Sequence, residues 1–247
     1  MFKTLAIVPA YNESKTIEVV LRGVSAHVHD VLVVDDNSSD NTLTLAKKHN
    51  INTIEHTKNF GKGKAIQEGF SYAVKNKYDA VIILDADLEH NPSKIPDFLE
   101  QLKKYDIVVG QRNQYRSSLR HGLNKWTTSW FKLVLPFLDD FWCGYRAIKI
   151  DLIKKMHLTS NGFEIELEML LEAVKCNSKI GKIYINTKPI KKTHFKFRDY
   201  IRSNNFFDRW VIENNKFLKQ GKTKKALLLI SARIGLLFGG FFEKIIK

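Results

Sequence analysis

Asp85 and Asp87 flank a small residue directly after the apolar run Val81-Ile82-Ile83-Leu84, and Glu89 follows two positions later. Two carboxylates at this spacing, at the end of a buried strand, can share a hard divalent ion. Mg2+ and Mn2+ prefer oxygen ligands and often complete their shell with substrate phosphates. Asp85, Asp87 and Glu89 are therefore the metal candidates. The bland alternative is a pair of turn or cap aspartates ahead of a helix opening near Pro92. A second acidic stretch, Asp35-Asp36-Asn37-Ser38-Ser39-Asp40, follows Val31-Leu32-Val33-Val34. Ser39 or Asp40 suits capping of the next helix. Asp35 and Asp36 are not needed for that, and carboxylates there can accept hydrogen bonds from a base or a ribose hydroxyl. Asn59-Phe60-Gly61-Lys62-Gly63-Lys64 is a Gly-rich turn opening a helix, where backbone N–H groups and Lys62 can approach a phosphate. It lacks the Walker and dinucleotide spacings, which disfavours those two nucleotide sites.

These groups need a scaffold, and the first 110 residues supply its pattern. Short apolar runs at 4–8, 30–34, 52–55, 80–84 and 107–109 alternate with amphipathic stretches at 14–26, 39–49, 62–75 and 92–103. Continuous Val/Ile/Leu runs read as strands buried on both faces. Strand–helix alternation predicts right-handed crossovers and a mainly parallel sheet, whose ligands gather at the carboxyl ends of the strands. Tyr11-Asn12-Glu13, Asp35-Asp36 and Asp85-Ala86-Asp87 all fall at such ends. The second half is less regular. It reads as strands near 144–150 and 180–185, a helix at 164–175, and aromatic segments at 126–138 and 195–217. An apolar helix flanked by lysines follows at 222–247.

The chain has 247 residues and a formal charge of +14. Residues 1–110 hold 13 basic and 15 acidic groups, and the rest hold 27 and 11. All of the excess positive charge therefore lies in the second half, which suits an anionic partner: phosphate, nucleic acid or a membrane surface. Hydrophobic residues make up 44%, which excludes disorder as the dominant state. Cys143 and Cys176 make neither a disulfide scaffold nor a zinc site. Met1-Phe2-Lys3 runs straight into an apolar strand, so no secretory signal is expected. No apolar run reaches the roughly 18–20 residues of a membrane span. The nearest, 226–242, is broken by Arg233, Gly235, Gly239 and Gly240.

Val8-Pro9-Ala10-Tyr11-Asn12-Glu13, Val33-Val34-Asp35-Asp36-Asn37-Ser38, Asn59-x-Gly61-Lys62-Gly63 and Leu84-Asp85-Ala86-Asp87-Leu88 occur in that order. Asp140-Phe141-Trp142-Cys143-Gly144-Tyr145-Arg146 and Gly162-Phe163-Glu164-Ile165-Glu166-Leu167-Glu168-Met169 follow them. Together they resemble the family 2 glycosyltransferases, and within them the dolichyl-phosphate mannose synthase group, over roughly residues 4–190. The resemblance implies a GT-A fold over 1–190: a Rossmann-like, mainly parallel α/β sheet flanked by helices. Residues 191–247 are left as a basic, aromatic, membrane-associating helical appendage. It also implies that Pro9, Tyr11, Glu13, Asp35 and Asp36 hold the nucleoside, with Lys62 toward the phosphates. Asp85 contacts nucleotide or sugar, and Asp87 ligands the metal. Glu89 stands where the group often carries Gln and adds a charge. Arg112, Arg116 and Arg120 are candidates for the acceptor phosphate, with Arg146 for either phosphate.

The implied chemistry is inverting transfer of one sugar from a nucleotide diphosphate sugar, GDP-mannose or a UDP-hexose, to a polyprenyl phosphate. Mg2+ or Mn2+ would assist by neutralising the leaving diphosphate. A phosphate acceptor is already ionised and needs cations, whereas a hydroxyl acceptor needs a general base. Asp140 and Glu164, Glu166 or Glu168 supply base candidates for that alternative. The bland reading of the three glutamates is the solvated start of a helix. A polyprenyl acceptor lives in a bilayer. Peripheral or monotopic attachment at the cytoplasmic face is therefore expected, through 126–138 and 226–242; the first of these equally suits a buried helix. Nucleic acid ranks last as a partner, because it would set the strand-end carboxylates against a polyanion.

Overall fold

The structure is a computed structural model that describes residues 2–112, 128–129, 131–187, 197–217 and 231. Seven strands form one sheet in the order β3-β2-β1-β4-β6-β5-β7. They are β1 (Thr4–Ala10), β2 (Asp30–Asp35), β3 (Asn52–Glu55), β4 (Ala80–Ile83), β5 (Ile107–Arg112), β6 (Arg146–Lys149) and β7 (Ile180–Ile185). The helices are α1 (Ile17–Ser25), α2 (Thr42–Lys48), α3 (Lys62–Lys75), α4 (Ile95–Gln101), α5 (Ile150–Ile153), α6 (Ile165–Lys175) and α7 (Phe197–Glu213). The five strands expected in the first half are all present, and the four helices between them lie where the periodicity put them. Their ends are trimmed or extended by a few residues, and the fourth begins as a 3-10 turn at Pro92–Lys94.

The central strands β1, β2 and β4 are buried on both faces because each carries a continuous apolar run. Leu5, Ile7, Leu32, Val34, Val81 and Ile83 point to one face, where α3, α6 and α7 pack. Ala6, Val8, Val31, Val33 and Ile82 point to the other, covered by α1, α2 and α4. At about 25 cal/mol per Å2 of apolar area, strands buried on two faces form the main source of stability. Gly69 of α3 lets that helix sit directly on β1, since an added Cβ would come within 2.7 Å of Ile7.

The expected mainly parallel sheet holds, with one exception. β6 lies antiparallel between β4 and β5, pairing Ile83 with Arg146 and Val109 with Arg146. The chain reaches it by the long excursion after β5, so the fifth apolar run does not lie beside the fourth. β7 runs parallel to β5 at the sheet edge.

The C-terminal aromatic segment behaves differently from the expected appendage. α7 packs on the body: Tyr200, Phe207, Trp210 and Val211 are buried in the core, with the Phe207 ring 4.7 Å from that of Phe131. Phe131, Leu135 and Leu138 are buried as well, while Leu133 and Phe137 are exposed. Trp126, Trp130 and residues 226–230 and 232–242 lie outside the described residues. Among the described residues no helix is long and apolar enough to cross a membrane, and both cysteines are free.

Candidate active site

Three parallel strands deliver the acidic clusters to one end of the sheet. β1 ends at Ala10, β2 at Asp35 and β4 at Ile83, and their register sets Ala10 beside Asp35 and Ile7 beside Ile83. Pro9 lies within β1, and Tyr11 just beyond it is exposed. Glu13 lies at the α1 entry. Its carbonyl accepts from the Thr16 and Ile17 N–H groups, its carboxylate from the Thr16 hydroxyl, and its own N–H donates to Thr42 Oγ1 at 2.8 Å.

Asp35 and Asp36 are buried, and each already organises backbone. Asp35 accepts from the N–H and hydroxyl of Ser38. Asp36 accepts from the N–H groups of Phe60 at 2.7 Å and Gly61 at 2.8 Å, so it ties the Gly-rich turn to the end of β2. The buried His56 ring sits between Asp36, 2.7 Å from Nδ1, and Glu68, 3.2 Å from Nε2. Spacing alone gave no sign of His56, because its partners lie 20 and 12 residues away on other elements.

At the centre is Lys62, the first residue of α3. Its Nζ stands 2.6 Å from Asp85 Oδ1 and 2.6 Å from Glu166 Oε1. Gly61, with φ of +99°, admits the turn that aims it there, and a side chain at that position would strike the Asn161 carbonyl at 2.3 Å. Burial opposes the ammonium charge, but the two carboxylates outweigh it and hold Lys62 above the ordinary lysine range. Burial likewise opposes ionisation of Asp85, yet Lys62, His90 and Arg112 bring it down to about 2. Burial keeps Glu166 raised despite Lys62. His90 lies behind this group; its Nδ1 accepts the Asp85 N–H at 3.2 Å, and burial lowers its pKa.

Asp87 has a different balance. Burial and the neighbouring negative charge of Asp85 push it up to about 7. That uncompensated charge is what a cation would relieve. Asp85 and Asp87 offer only oxygen donors, which suits a hard divalent ion whose remaining ligands come from a diphosphate. Among the described residues, no three His, Cys, Asp or Glu side chains converge into a preformed cage. The expected trio Asp85, Asp87 and Glu89 is therefore not a closed site by itself. Glu89 is buried and turned toward Arg112, its Oε1 3.4 Å from Nη1.

Arg112 and Asp140 form a buried bidentate pair, Nε to Oδ2 at 2.5 Å and Nη2 to Oδ1 at 3.0 Å. Burial disfavours the guanidinium charge, but Asp140 raises its pKa well above the usual value. Asp140 also accepts from the Trp142 N–H, and Gln111 Oε1 accepts from the N–H groups of Asp139 and Asp140. Arg146 departs furthest from expectation. It is fully buried, and its guanidinium donates to the carbonyls of Cys143, Phe141 and Glu166. A guanidinium sealed in this way braces β6 and α6 rather than meeting a solvent-borne phosphate. Arg116 and Arg120 lie outside the described residues.

The remaining glutamates separate by partner. Glu168 accepts from Thr159 and Ser160 N–H groups and from the Thr159 hydroxyl. Glu164 has a raised pKa, chiefly through burial, and its Oε2 has no hydrogen-bond partner among the described residues. It lines a cleft of about 530 Å3 with Arg202, Arg209, Trp210 and Glu213; neither Asp85 nor Lys62 lines that cleft.

Comparison with known proteins bears on the same part of the chain. The family model described as Glycosyl transferase family 2 matches residues 5–155, which carry every strand-end carboxylate above. The chain is 35% identical over 201 residues to an uncharacterised protein of Methanocaldococcus jannaschii, covering 74% of this chain and 87% of that one. It is 27% identical over 200 residues to an undecaprenyl-phosphate mannosyltransferase of Micrococcus luteus, covering 74% and 82%. Its fold is similar to glucosyl-3-phosphoglycerate synthase of Mycobacterium tuberculosis, crystallised with Mn2+, UDP and phosphoglyceric acid. The TM-score is 0.71 at 16% identity, covering 85% of this chain and 78% of that one. A parallel sheet that ends in paired aspartates, matched by the family model across more than half of the chain, makes this protein an enzyme of glycosyl transferase family 2.

Proposed function

We propose that the enzyme transfers one sugar, with inversion, from a nucleotide diphosphate sugar to a polyprenyl phosphate. The state of the base candidates carries this reading. Asp140 is locked by Arg112, and Glu166 by Lys62. A hydroxyl acceptor needs a carboxylate able to take its proton. A phosphate acceptor is already an anion, so it tolerates a site whose carboxylates are engaged. The Micrococcus relative named for undecaprenyl-phosphate mannosyl transfer supports the same acceptor class.

Tyr11, Glu13, Asp35 and Asp36 border the nucleoside, with Asp36 and the Phe60–Gly61 backbone forming one rigid wall. Asp85 and Asp87 would hold Mg2+ or Mn2+, which supplies charge neutralisation to the leaving diphosphate. Lys62 adds a second positive charge at the same end of the sheet. The oxocarbenium-like state at the sugar develops beside ionised Asp85. The donor is a GDP- or UDP-linked hexose. Peripheral attachment at the cytoplasmic face of an anionic membrane fits a lipid acceptor and the basic second half, where each Lys or Arg near the surface adds about 1 kcal/mol.

A second reading has one observation in its favour. Glu164 has a raised pKa and an oxygen without a hydrogen-bond partner among the described residues, as a base for a glycan hydroxyl would. Its separate cleft argues against direct contact with a sugar held at Asp85. Incubation with GDP-mannose or UDP-hexoses, Mn2+ and a short polyprenyl phosphate should yield a lipid-linked monosaccharide, and Glu164→Gln should still turn over. Product formed only on hydroxyl acceptors, and abolished by Glu164→Gln, would sink the phosphate reading. Co-sedimentation with anionic but not neutral vesicles tests the membrane attachment.

A further inference from the structure

Lys62 is stationed in an unusual place for a phosphate-binding lysine. Its ammonium does not reach into open solvent but bridges Asp85 and Glu166 at 2.6 Å each, with its side chain 12% exposed. Two backbone features hold it there. Gly144 leaves room for it: a Cβ at that position would stand 2.8 Å from both Lys62 Nζ and Asp85 Oδ2. The Gly63 N–H donates to the Asn161 carbonyl at 2.7 Å, which fastens the start of α3 to the loop leading into α6, the helix of Glu166.

A divalent ion shared by Asp85 and Asp87 has to draw on a carboxylate that already has a cation in contact with it. Arriving alone, the ion must weaken a close, largely buried ion pair and place its own charge beside the ammonium. Arriving with a diphosphate, it brings negative charge that offsets its own and offers Lys62 another anionic partner.

We propose that Lys62 is a positioning residue that makes divalent-ion binding conditional on the nucleotide diphosphate. The inference rests on the reading that Asp85 and Asp87 bind Mg2+ or Mn2+. In the free enzyme Lys62 serves as counter-ion to Asp85 and Glu166. When metal and donor enter together it exchanges Asp85 for the diphosphate and keeps its contact with Glu166. Metal and nucleotide then load as a unit.

The test is Mn2+ binding to the full chain by electron paramagnetic resonance of the free ion, with and without UDP or GDP, corrected for Mn2+ held by free nucleotide. In the wild type the nucleotide should tighten Mn2+ binding by about ten-fold or more, within the usual range of coupling between sites. Lys62→Met should bind Mn2+ without nucleotide about ten-fold more tightly than the wild type, and the coupling should shrink accordingly. Lys62→Arg, which keeps the charge, should stay conditional. A purely structural lysine would not raise metal affinity when removed. Equal or weaker nucleotide-free binding by Lys62→Met would overturn the proposal. A wild type that binds Mn2+ with neither nucleotide would overturn the metal reading itself, and this inference with it. If thermal melting shows Lys62→Met unfolded, the double variant Lys62→Met/Glu166→Gln, which removes one bare carboxylate, carries the same comparison.

Discussion

Asp87 and Asp140 show how two carboxylates of one site come to have opposite characters. Asp87 is raised to about 7 by burial and by Asp85. In the unfolded chain it would titrate near the ordinary value of about 4. Below about pH 4 it is protonated in both states and contributes nothing. Between about 4 and about 7 it is ionised only when unfolded, so stability falls as pH rises, by up to about 1.4 kcal/mol per pH unit. Metal-free Asp87→Asn should therefore be the more stable protein at about pH 8 and equal to wild type near pH 4, as denaturation midpoints across pH would record. Asp140 has its charge matched by Arg112. Asp140→Asn leaves that buried guanidinium with Glu89 at 3.4 Å and should cost about 3–5 kcal/mol in urea unfolding. The triple variant Glu89→Gln/Arg112→Met/Asp140→Leu should recover most of that loss, since it removes all three charges of the cluster together. Motif order placed both aspartates at the site. The partner of Asp140 is Arg112, 28 positions away on β5, which no local spacing records, whereas the degree of burial that raises Asp87 beside its near neighbour Asp85 is set by the fold.

At the scale of elements, the close approach of α3 to the loop before α6 decides where Lys62 points. A Cβ on Gly63 would stand 2.2 Å from the Ser160 carbonyl and 2.8 Å from Asn161. Because those neighbours are backbone, they cannot swing away. Gly63→Ala should cost about 1–3 kcal/mol and separate Lys62 from Glu166, measured as a lower denaturation midpoint with impaired nucleotide binding. The Gly-rich turn was legible as a helix entry, and α3 begins at Lys62 as its pattern predicts. Its facing partner was not legible, since the 159–162 loop is an irregular segment without periodicity. β6 lies within the strand read near 144–150, but its antiparallel insertion between β4 and β5 was not visible. Strand order is set by which edge a long connection reaches, and the sequence of that connection has no register of its own.

Taken as a whole molecule, the enzyme has a core that extends beyond its matched family region. α7 contributes Phe207, fully buried against Phe131. Phe207→Ala should destabilise the whole protein by about 3–5 kcal/mol in a single cooperative transition. A peripheral appendage would instead tolerate that change with an unaltered midpoint. The mixture of aromatic and basic residues in 195–217 suggested part of a membrane-associating segment. The helix turns Tyr200, Phe207, Trp210 and Val211 to one side, against the body, and leaves Arg198 and Arg209 exposed.

The sequence by itself determined the α/β class, most elements of the first half, the strand-end location of the carboxylates and the family. Each depends on local periodicity or on ordered short motifs, which survive without knowledge of long-range contacts. Only the tertiary structure decided that Lys62 clamps Asp85 to Glu166, that Arg112 neutralises Asp140, and that Arg146 braces the core instead of facing a phosphate. Those outcomes turn on which charged groups share a buried volume. Burial makes the loss of one partner from such a pairing cost several kcal/mol, while the partners that meet are set by packing across the sheet.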